Sequence, residues 1–79
     1  MIIETGDGTF SRNLRYLRLK NRLSLRALAK HLDISVYSLK KLEESSSGAV
    51  FTDQTLRRLC EVFRVSVEDI LHRELCVPA

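Results

Sequence analysis

The apolar side chains of this chain recur every three or four residues, the spacing that places them on one face of an α-helix. Phe10, Leu14 and Leu17 follow this spacing and predict a first helix over about residues 11–21. No stretch alternates convincingly between apolar and polar residues, so the pattern predicts no strand. Four further helical faces follow along the chain: Leu25, Leu28, Ala29 and Leu32; Leu39 and Leu42; Leu56, Leu59, Cys60 and Phe63; and Ile70 and Leu71.

Hydroxyl residues stand just before four of these helices, where a side-chain oxygen accepts a hydrogen bond from the first turn. The predicted N-caps are Ser24, Ser35, Thr52 and Ser66, and the last of them begins a capping-box pattern. Residues 45–49, with the sequence SSSGA, are expected to form a loop. Because no short helix buries its own apolar face, the five are expected to pack into one compact all-α bundle.

Residues 25–44 carry the spacing of two helices that cross near a right angle. Counted from Leu25, apolar side chains occupy the fourth, eighth, tenth, fifteenth and eighteenth positions, and the fifth is the small Ala29. A small residue there lets the two backbones approach, while larger ones fill the wedge around it. The ninth position, in the turn, favours a positive φ, which Asp33 tolerates at modest cost. The pattern predicts a helix-turn-helix unit.

Two segments carry a resemblance to a known family: NLRYLRLKNRLSLRALAKHLDISVYSLKKLE and TLRRLCEVFRVSVEDIL. They resemble the Cro/CI-type (XRE-like) helix-turn-helix domain of phage repressors and small bacterial regulators. The resemblance implies a compact five-helix, lambda-repressor-like DNA-binding domain over residues 10–75. Residues 1–9 are then an N-terminal extension, in which Ile2 and Ile3 form an extended stub or a dimer contact. Residues 76–79 are a C-terminal tail.

The resemblance also assigns roles to individual side chains, because this family docks its third helix in the major groove of double-stranded DNA. The side chains then expected to face bases are Val36, Tyr37 and Lys41. Those expected at the DNA backbone are Ser24, Arg26 and Lys40. The structural ion pair of the family maps onto Arg18 and Glu43, which would hold the first helix against the third.

Charge is unevenly distributed along the chain, although the net charge is only +3. Residues 1–41 hold nine Lys or Arg against three acids, a net charge of +6, and residues 42–79 hold four against seven, a net charge of −3. A solvated face explains this pattern as well as a polyanion-binding surface does. Together with the resemblance, it favours a sequence-specific DNA-binding transcriptional regulator, expected to be a repressor. One recognition helix offers few base contacts, so a homodimer is expected.

Three departures from the family favour an alternative, a protein-interaction module on the same fold, antirepressor-like or antitoxin-like. Leu25 stands where the family often has a glutamine that binds the DNA backbone, and Glu44 stands where it commonly has glycine. The 45–51 loop has no basic residue, which implies few phosphate contacts and weaker DNA binding. In this alternative the contact points with a protein partner are Leu19, Leu25, Val36 and Tyr37.

Other classes of function are disfavoured. The sequence has no Gly-rich phosphate loop and no nucleophile beside an evident base, so no enzyme and no cofactor are expected. Cys60, His72 and Cys76 are too few and too unevenly spaced for a zinc site, and two cysteines suit a reducing compartment. No apolar run approaches a membrane span, and the start lacks the features of a signal peptide. A cytoplasmic protein without a membrane partner is therefore expected.

Overall fold

The computed structural model describes residues 1–45 and 48–75, which form five α-helices and two short β-strands. The helices are α1 (Thr9–Lys20), α2 (Leu25–Leu32), α3 (Val36–Glu44), α4 (Asp53–Phe63) and α5 (Val67–His72). The strands are β1 (Ile2–Glu4) and β2 (Val50–Thr52). The expectation of a compact five-helix domain is confirmed, and the two strands are a minor addition to it.

The four predicted N-caps do cap their helices. In each, the hydroxyl oxygen accepts a hydrogen bond of 3.0 to 3.3 Å from the N–H group three residues further on: Ser24, Ser35, Thr52 and Ser66. The first helix differs, since it begins at Thr9, two residues before its predicted start. The N–H of Thr9 donates to Asp7 Oδ1 at 3.0 Å, and this bond lowers the pKa of the Asp7 carboxyl.

The apolar faces of the helices meet in one core. α1 packs against α3 and α5, α2 packs against α3 and α4, and α4 also contacts α5 and β2. Burying one Leu or Phe side chain is worth about 1.5–3 kcal/mol, so this shared core, more than helix propensity, stabilises the short helices. Its buried apolar residues come from every helix and from the segment around β2: Phe10, Leu14, Leu17, Leu28, Ala29, Leu32, Leu39, Leu42, Ala49, Phe51, Leu56, Leu59 and Ile70.

The prediction that the chain has no strand is wrong. β1 and β2 pair antiparallel, with Ile3 opposite Phe51 and Ile2 opposite Thr52. Ile3 packs against the core, and the Phe51 ring stacks on that of Phe10 with centroids 4.3 Å apart. Of the two interpretations of the first residues, the extended segment is the one observed. Three residues are too few for alternation to stand out, and the two strands are far apart in the chain, so no local pattern reveals their pairing.

A buried asparagine fastens the end of α5 to α1. Asn13 is 1% exposed, and its Nδ2 donates to the carbonyl oxygens of Ile70 at 2.9 Å and Arg73 at 2.7 Å. Its Oδ1 accepts a hydrogen bond from the N–H of Leu75 at 2.9 Å. One side chain thus pairs three main-chain groups at a helix end, where the carbonyls lack helical partners. This contact holds the chain on α1 as far as Leu75.

The next features concern the described cysteine, possible metal ligands and possible membrane-spanning helices. Cys60 lies in α4, half-buried against the core, and burial raises the pKa of its thiol. In residues 1–45 and 48–75, no group of three His, Cys, Asp or Glu side chains is placed to hold a metal ion. Cys76, one member of the disfavoured zinc site, lies outside the described residues. None of the helices described in these ranges has the length and apolar character needed to cross a membrane.

Candidate nucleic-acid interface

The turn between α2 and α3 follows from its local sequence. Asp33 adopts the left-handed conformation, with φ 56° and ψ 44°, as the spacing predicts. Its N–H donates to the carbonyl of Lys30 at 3.2 Å, and the N–H of Ile34 donates to that of Ala29 at 3.1 Å. These main-chain bonds close the C-terminal end of α2. Ala29 is 3% exposed, so the small side chain is buried in the core beside the turn that sets the direction of α3.

A largely buried ion pair joins α1 to α3. Arg18 Nε donates to Glu43 Oε2 at 2.7 Å, and Arg18 Nη2 donates to Glu43 Oε1 at 3.0 Å. The two side chains are 12% and 6% exposed. Arg18 Nη1 also donates to the carbonyl of Leu23 at 3.0 Å, in the connection between α1 and α2. This is the pair that the family resemblance predicts, and its two-point geometry restrains both the position and the rotation of α3.

α3 presents one side to solvent while its other side lies in the core. Val36 and Tyr37 are 40% and 68% exposed, and Lys40 and Lys41 are exposed as well. Lys41 Nζ lies 5.2 Å from the centre of the Tyr37 ring, within the range of a cation–π interaction. These four side chains, named here the outer face of α3, therefore form one exposed, basic and partly aromatic surface.

The N-termini of α2 and α3 have the electrostatics of anion sites. Neither first turn contains Asp or Glu, so no carboxylate there neutralises the positive end of either helix dipole. Ser24 caps α2 and is exposed, and so is Arg26 in its first turn. Phosphate groups are favoured at such helix ends. The two residues expected at the DNA backbone on α2 therefore lie where a phosphate would be stabilised.

The sequence profile of the helix-turn-helix domain family matches residues 9–72, most of the chain. The chain belongs to the helix-turn-helix domain family. No curated protein and no solved structure matched this chain. Helix-turn-helix domains are typical of DNA-binding regulators and are not typically enzymes. Membership therefore confirms the family resemblance drawn from the sequence and supports DNA binding over catalysis.

The departures of this helix-turn-helix domain from the XRE pattern occupy different environments. Leu25 is half-buried against the core, so its apolar side chain has a packing role. Leu19 on α1 is 54% exposed, and Glu44 at the end of α3 is exposed beside the outer face. Of the 45–51 loop, residues 46 and 47 lie outside the described residues, and residues 50 and 51 belong to β2.

The helix-turn-helix domain also has a surface feature that sequence analysis missed. A cleft of about 500 Å³ separates α3 from β2 and the start of α4. Tyr37 and Lys41 of the outer face form part of its α3 wall, and Val50 forms part of the opposite wall. The cleft depends on where β2 packs beside α3. Because the strands were not predicted, the cleft could not be predicted either.

Proposed function

We propose that this protein is a sequence-specific DNA-binding transcriptional regulator that docks α3 in the major groove of double-stranded DNA. The observation that carries the proposal is the outer face of α3, which is exposed and basic. The other side of the same helix is held by the core and by the Arg18–Glu43 ion pair. A helix restrained in this way presents its side chains in a fixed arrangement, which base recognition requires.

The side chains of the outer face suit the contacts that DNA offers. Lys41 supplies donors for the acceptors on a guanine edge, and Val36 supplies an apolar surface for a thymine methyl group. Tyr37 offers a hydroxyl and an aromatic ring beside them. The DNA backbone, where contacts fix register without reading sequence, is assigned to the remaining three residues of the proposed site: Ser24, Arg26 and Lys40.

We further propose that the regulator acts as a homodimer and represses transcription in the cytoplasm. Three base-contacting side chains per chain are too few for genomic specificity, whereas a dimer places two recognition helices in half-sites about 34 Å apart. The family resemblance assigns the dimer contact to α5 and to residues 76–79, which lie outside the described residues. A dimer bound over a promoter blocks access of other proteins to it.

Fluorescence anisotropy tests the proposal directly. Labelled duplexes that tile the DNA upstream of the gene for this protein are titrated with the full chain, with random duplex as competitor, at two salt concentrations. Tight binding to one duplex that survives competitor supports a specific regulator. Weak and uniform binding to every duplex, or no binding, contradicts it.

Two variants test the assignment of the outer face. The double substitution Lys40→Ala and Lys41→Ala is expected to abolish DNA binding without changing helicity or melting temperature, because both side chains are exposed. Lys30→Ala is the matched control, since it removes an exposed lysine of α2 outside the proposed contacts. Undiminished affinity of the double variant would refute the assignment.

A protein-interaction module on the same fold, antirepressor-like or antitoxin-like, is the second candidate. The exposure of Leu19 at 54% and of Tyr37 at 68% favours it, because both side chains gain from burial against a partner. The exposed Glu44 also favours it, since a carboxylate beside the outer face repels phosphate. Leu25 contributes less than expected because it is half-buried. If no duplex binds, the protein-interaction module replaces the DNA-binding regulator as the favoured function.

A further inference from the structure

The cleft between α3 and β2 runs along the edge of a strand. Three consecutive residues of β2 line it: Val50, Phe51 and Thr52. Successive side chains of a strand point to opposite faces, so a cleft lined by all three faces the edge of β2 instead of one of its faces. Strand edges carry main-chain donors and acceptors. The direction of these groups in β2 determines whether they can bind a chain in the cleft.

Two hydrogen bonds define the bonding pattern of the β1–β2 pair. The N–H of Thr5 donates to the carbonyl of Ala49 at 2.9 Å, and the N–H of Asp53 donates to the carbonyl of Met1 at 3.1 Å. These are the two ends of the antiparallel ladder. Bonded and unbonded pairs alternate in such a ladder, so the pairs next to both ends are unbonded.

Val50 and Thr52 belong to these unbonded pairs, and their N–H groups therefore point away from β1, as does the carbonyl of Val50. The carbonyl of Thr52 accepts the first bond of α4, because Thr52 is the N-cap. Along the edge that faces the cleft, the other three main-chain groups form a row with no hydrogen-bond partner among residues 1–45 and 48–75. An extended chain can pair with such a row by adding a strand.

The side chains of the cleft define what kind of chain fits. Ile34 in the turn before α3, Leu42 of α3 and Val50 of β2 contribute apolar surface to the cleft, and four Ser and Thr residues contribute hydroxyl groups. Of the eleven described residues that line the cleft, one is charged, and it is Lys41. Walls of apolar and uncharged polar side chains with a single cation suit an extended segment that carries apolar side chains and a carboxylate. A volume of about 500 Å³ is within the range of ligand clefts.

We propose that this cleft binds an extended, acidic and apolar segment of a partner protein by strand addition to β2. The segment covers Tyr37 and Lys41, which also belong to the outer face of α3, and so it excludes DNA from that face. This second consequence rests on the proposed function, whereas the binding itself does not. By linkage, DNA lowers the affinity for the segment by the same factor.

Anisotropy with labelled peptides and the full chain, without DNA, tests the binding. The probe is an acetylated peptide of alternating Val and Glu, compared with a Val–Lys peptide and with two N-methylated versions, one blocking each backbone edge. The Val–Glu peptide is expected to bind. One N-methylated version should bind at least about tenfold more weakly, the loss expected for one backbone bond with added steric conflict. The Val–Lys peptide should bind more weakly than the Val–Glu peptide because its lysines face the cation of Lys41. Equal binding of all four peptides would overturn strand addition.

Two proline variants provide a matched pair on the protein. Val50→Pro removes an N–H that points into the cleft without breaking a bond to β1, because proline is tolerated at such edge positions. Ile2→Pro removes the equivalent outward N–H from the opposite edge of the same sheet. Val50→Pro should weaken binding of the Val–Glu peptide at least about tenfold, and Ile2→Pro should not. If Val50→Pro does not fold by circular dichroism, the N-methylated peptides decide on the unaltered protein.

Four further outcomes separate the alternatives. Competition by isovalerate as effectively as by the peptide would overturn the inference in favour of a small-molecule site. Self-association that Val50→Pro abolishes would assign the edge to a second copy and overturn it as well. If the peptide binds but does not displace a bound duplex, the overlap with the DNA face is refuted. If no duplex binds at all, the proposed function fails while peptide binding still stands.

Discussion

Replacing Glu43 by glutamine leaves Arg18 with a largely buried positive charge and no anion to balance it. The side chains are 12% and 6% exposed and meet through hydrogen bonds of 2.7 and 3.0 Å. Removing one partner of such a pair costs about 3–5 kcal/mol, because the remaining charge stays out of water. A domain of 79 residues unfolds at a cost of about 4–12 kcal/mol in total. Glu43→Gln is therefore expected to remove about a quarter or more of the stability.

Urea unfolding followed by far-UV circular dichroism measures this loss. The matched control is Arg12→Met, which breaks the exposed pair of Arg12 with Glu74, 57% and 68% exposed at 3.3 Å. Exposed pairs contribute about 0–1 kcal/mol, so the control should change little. The double variant Arg18→Met and Glu43→Leu removes both charges and should recover most of the loss. It still leaves the Leu23 carbonyl without its Arg18 donor, at a cost of about 1 kcal/mol.

The comparison between Glu43→Gln and Arg12→Met shows whether the Arg18–Glu43 pair contributes to stability. A Glu43→Gln midpoint that moves no further than that of Arg12→Met would show that the buried pair is dispensable. Rigid placement of α3 for recognition would then lose its main structural basis. A double variant no more stable than Glu43→Gln would show instead that the cost comes from lost packing and not from an unbalanced charge.

Asn13→Ala is expected to lower the free energy of unfolding by about 2–4 kcal/mol, since three main-chain groups lose their partner. Faster hydrogen exchange at the Leu75 N–H would accompany it, and unchanged urea unfolding would contradict it. Asp33→Gly is expected to raise the free energy of unfolding by up to about 1 kcal/mol, and the melting temperature with it, because glycine adopts φ 56° without strain; a lower melting temperature would refute this. The pKa of Asp7 is lowered in the folded state, so its stabilising contribution is complete above the ordinary pKa of about 4 and is lost as the pH falls through the folded value. Asp7→Asn should therefore flatten the acid limb of the stability curve, and superimposable acid-unfolding curves would count against it. Burial raises the pKa of Cys60, so its thiol should react with alkylating reagents more slowly in the folded protein than in urea; equal rates at one pH would contradict that expectation.

The helices of this protein are predictable because each depends on residues close together in the chain. Ser24 and Ser35 cap the N–H groups three residues further on, so both partners of each bond lie within one turn. Asp33 takes its left-handed conformation because the spacing of α2 and α3 requires a tight reversal there. The exposure of Tyr37 likewise follows from the helical period, since Leu39 already defines the inward side.

The contacts that sequence analysis missed join residues that are distant in the chain. The β1–β2 pairing brings Ile3 to Phe51, and three-residue strands contain no alternation long enough to reveal it. Asn13 is a polar residue within a helical pattern, and nothing near it indicates that its partners are main-chain groups at the end of α5. Leu25 was predicted as a contact point for a protein partner, but tertiary packing half-buries it. Each of these depends on how the elements pack.

The departures from the family pattern are expected to give the proposed DNA site only a modest affinity. Arg26, Lys40 and Lys41 are the cations of the proposed DNA site, and Glu44 beside them opposes phosphate. Each neutralised phosphate contributes about 0.9 to the salt slope, so a site with few cations binds DNA modestly and releases it readily as salt rises. A regulator of modest affinity is displaced by a competitor that is itself only moderately tight. A peptide in the cleft that covers Tyr37 and Lys41 therefore needs no exceptional affinity to control DNA binding.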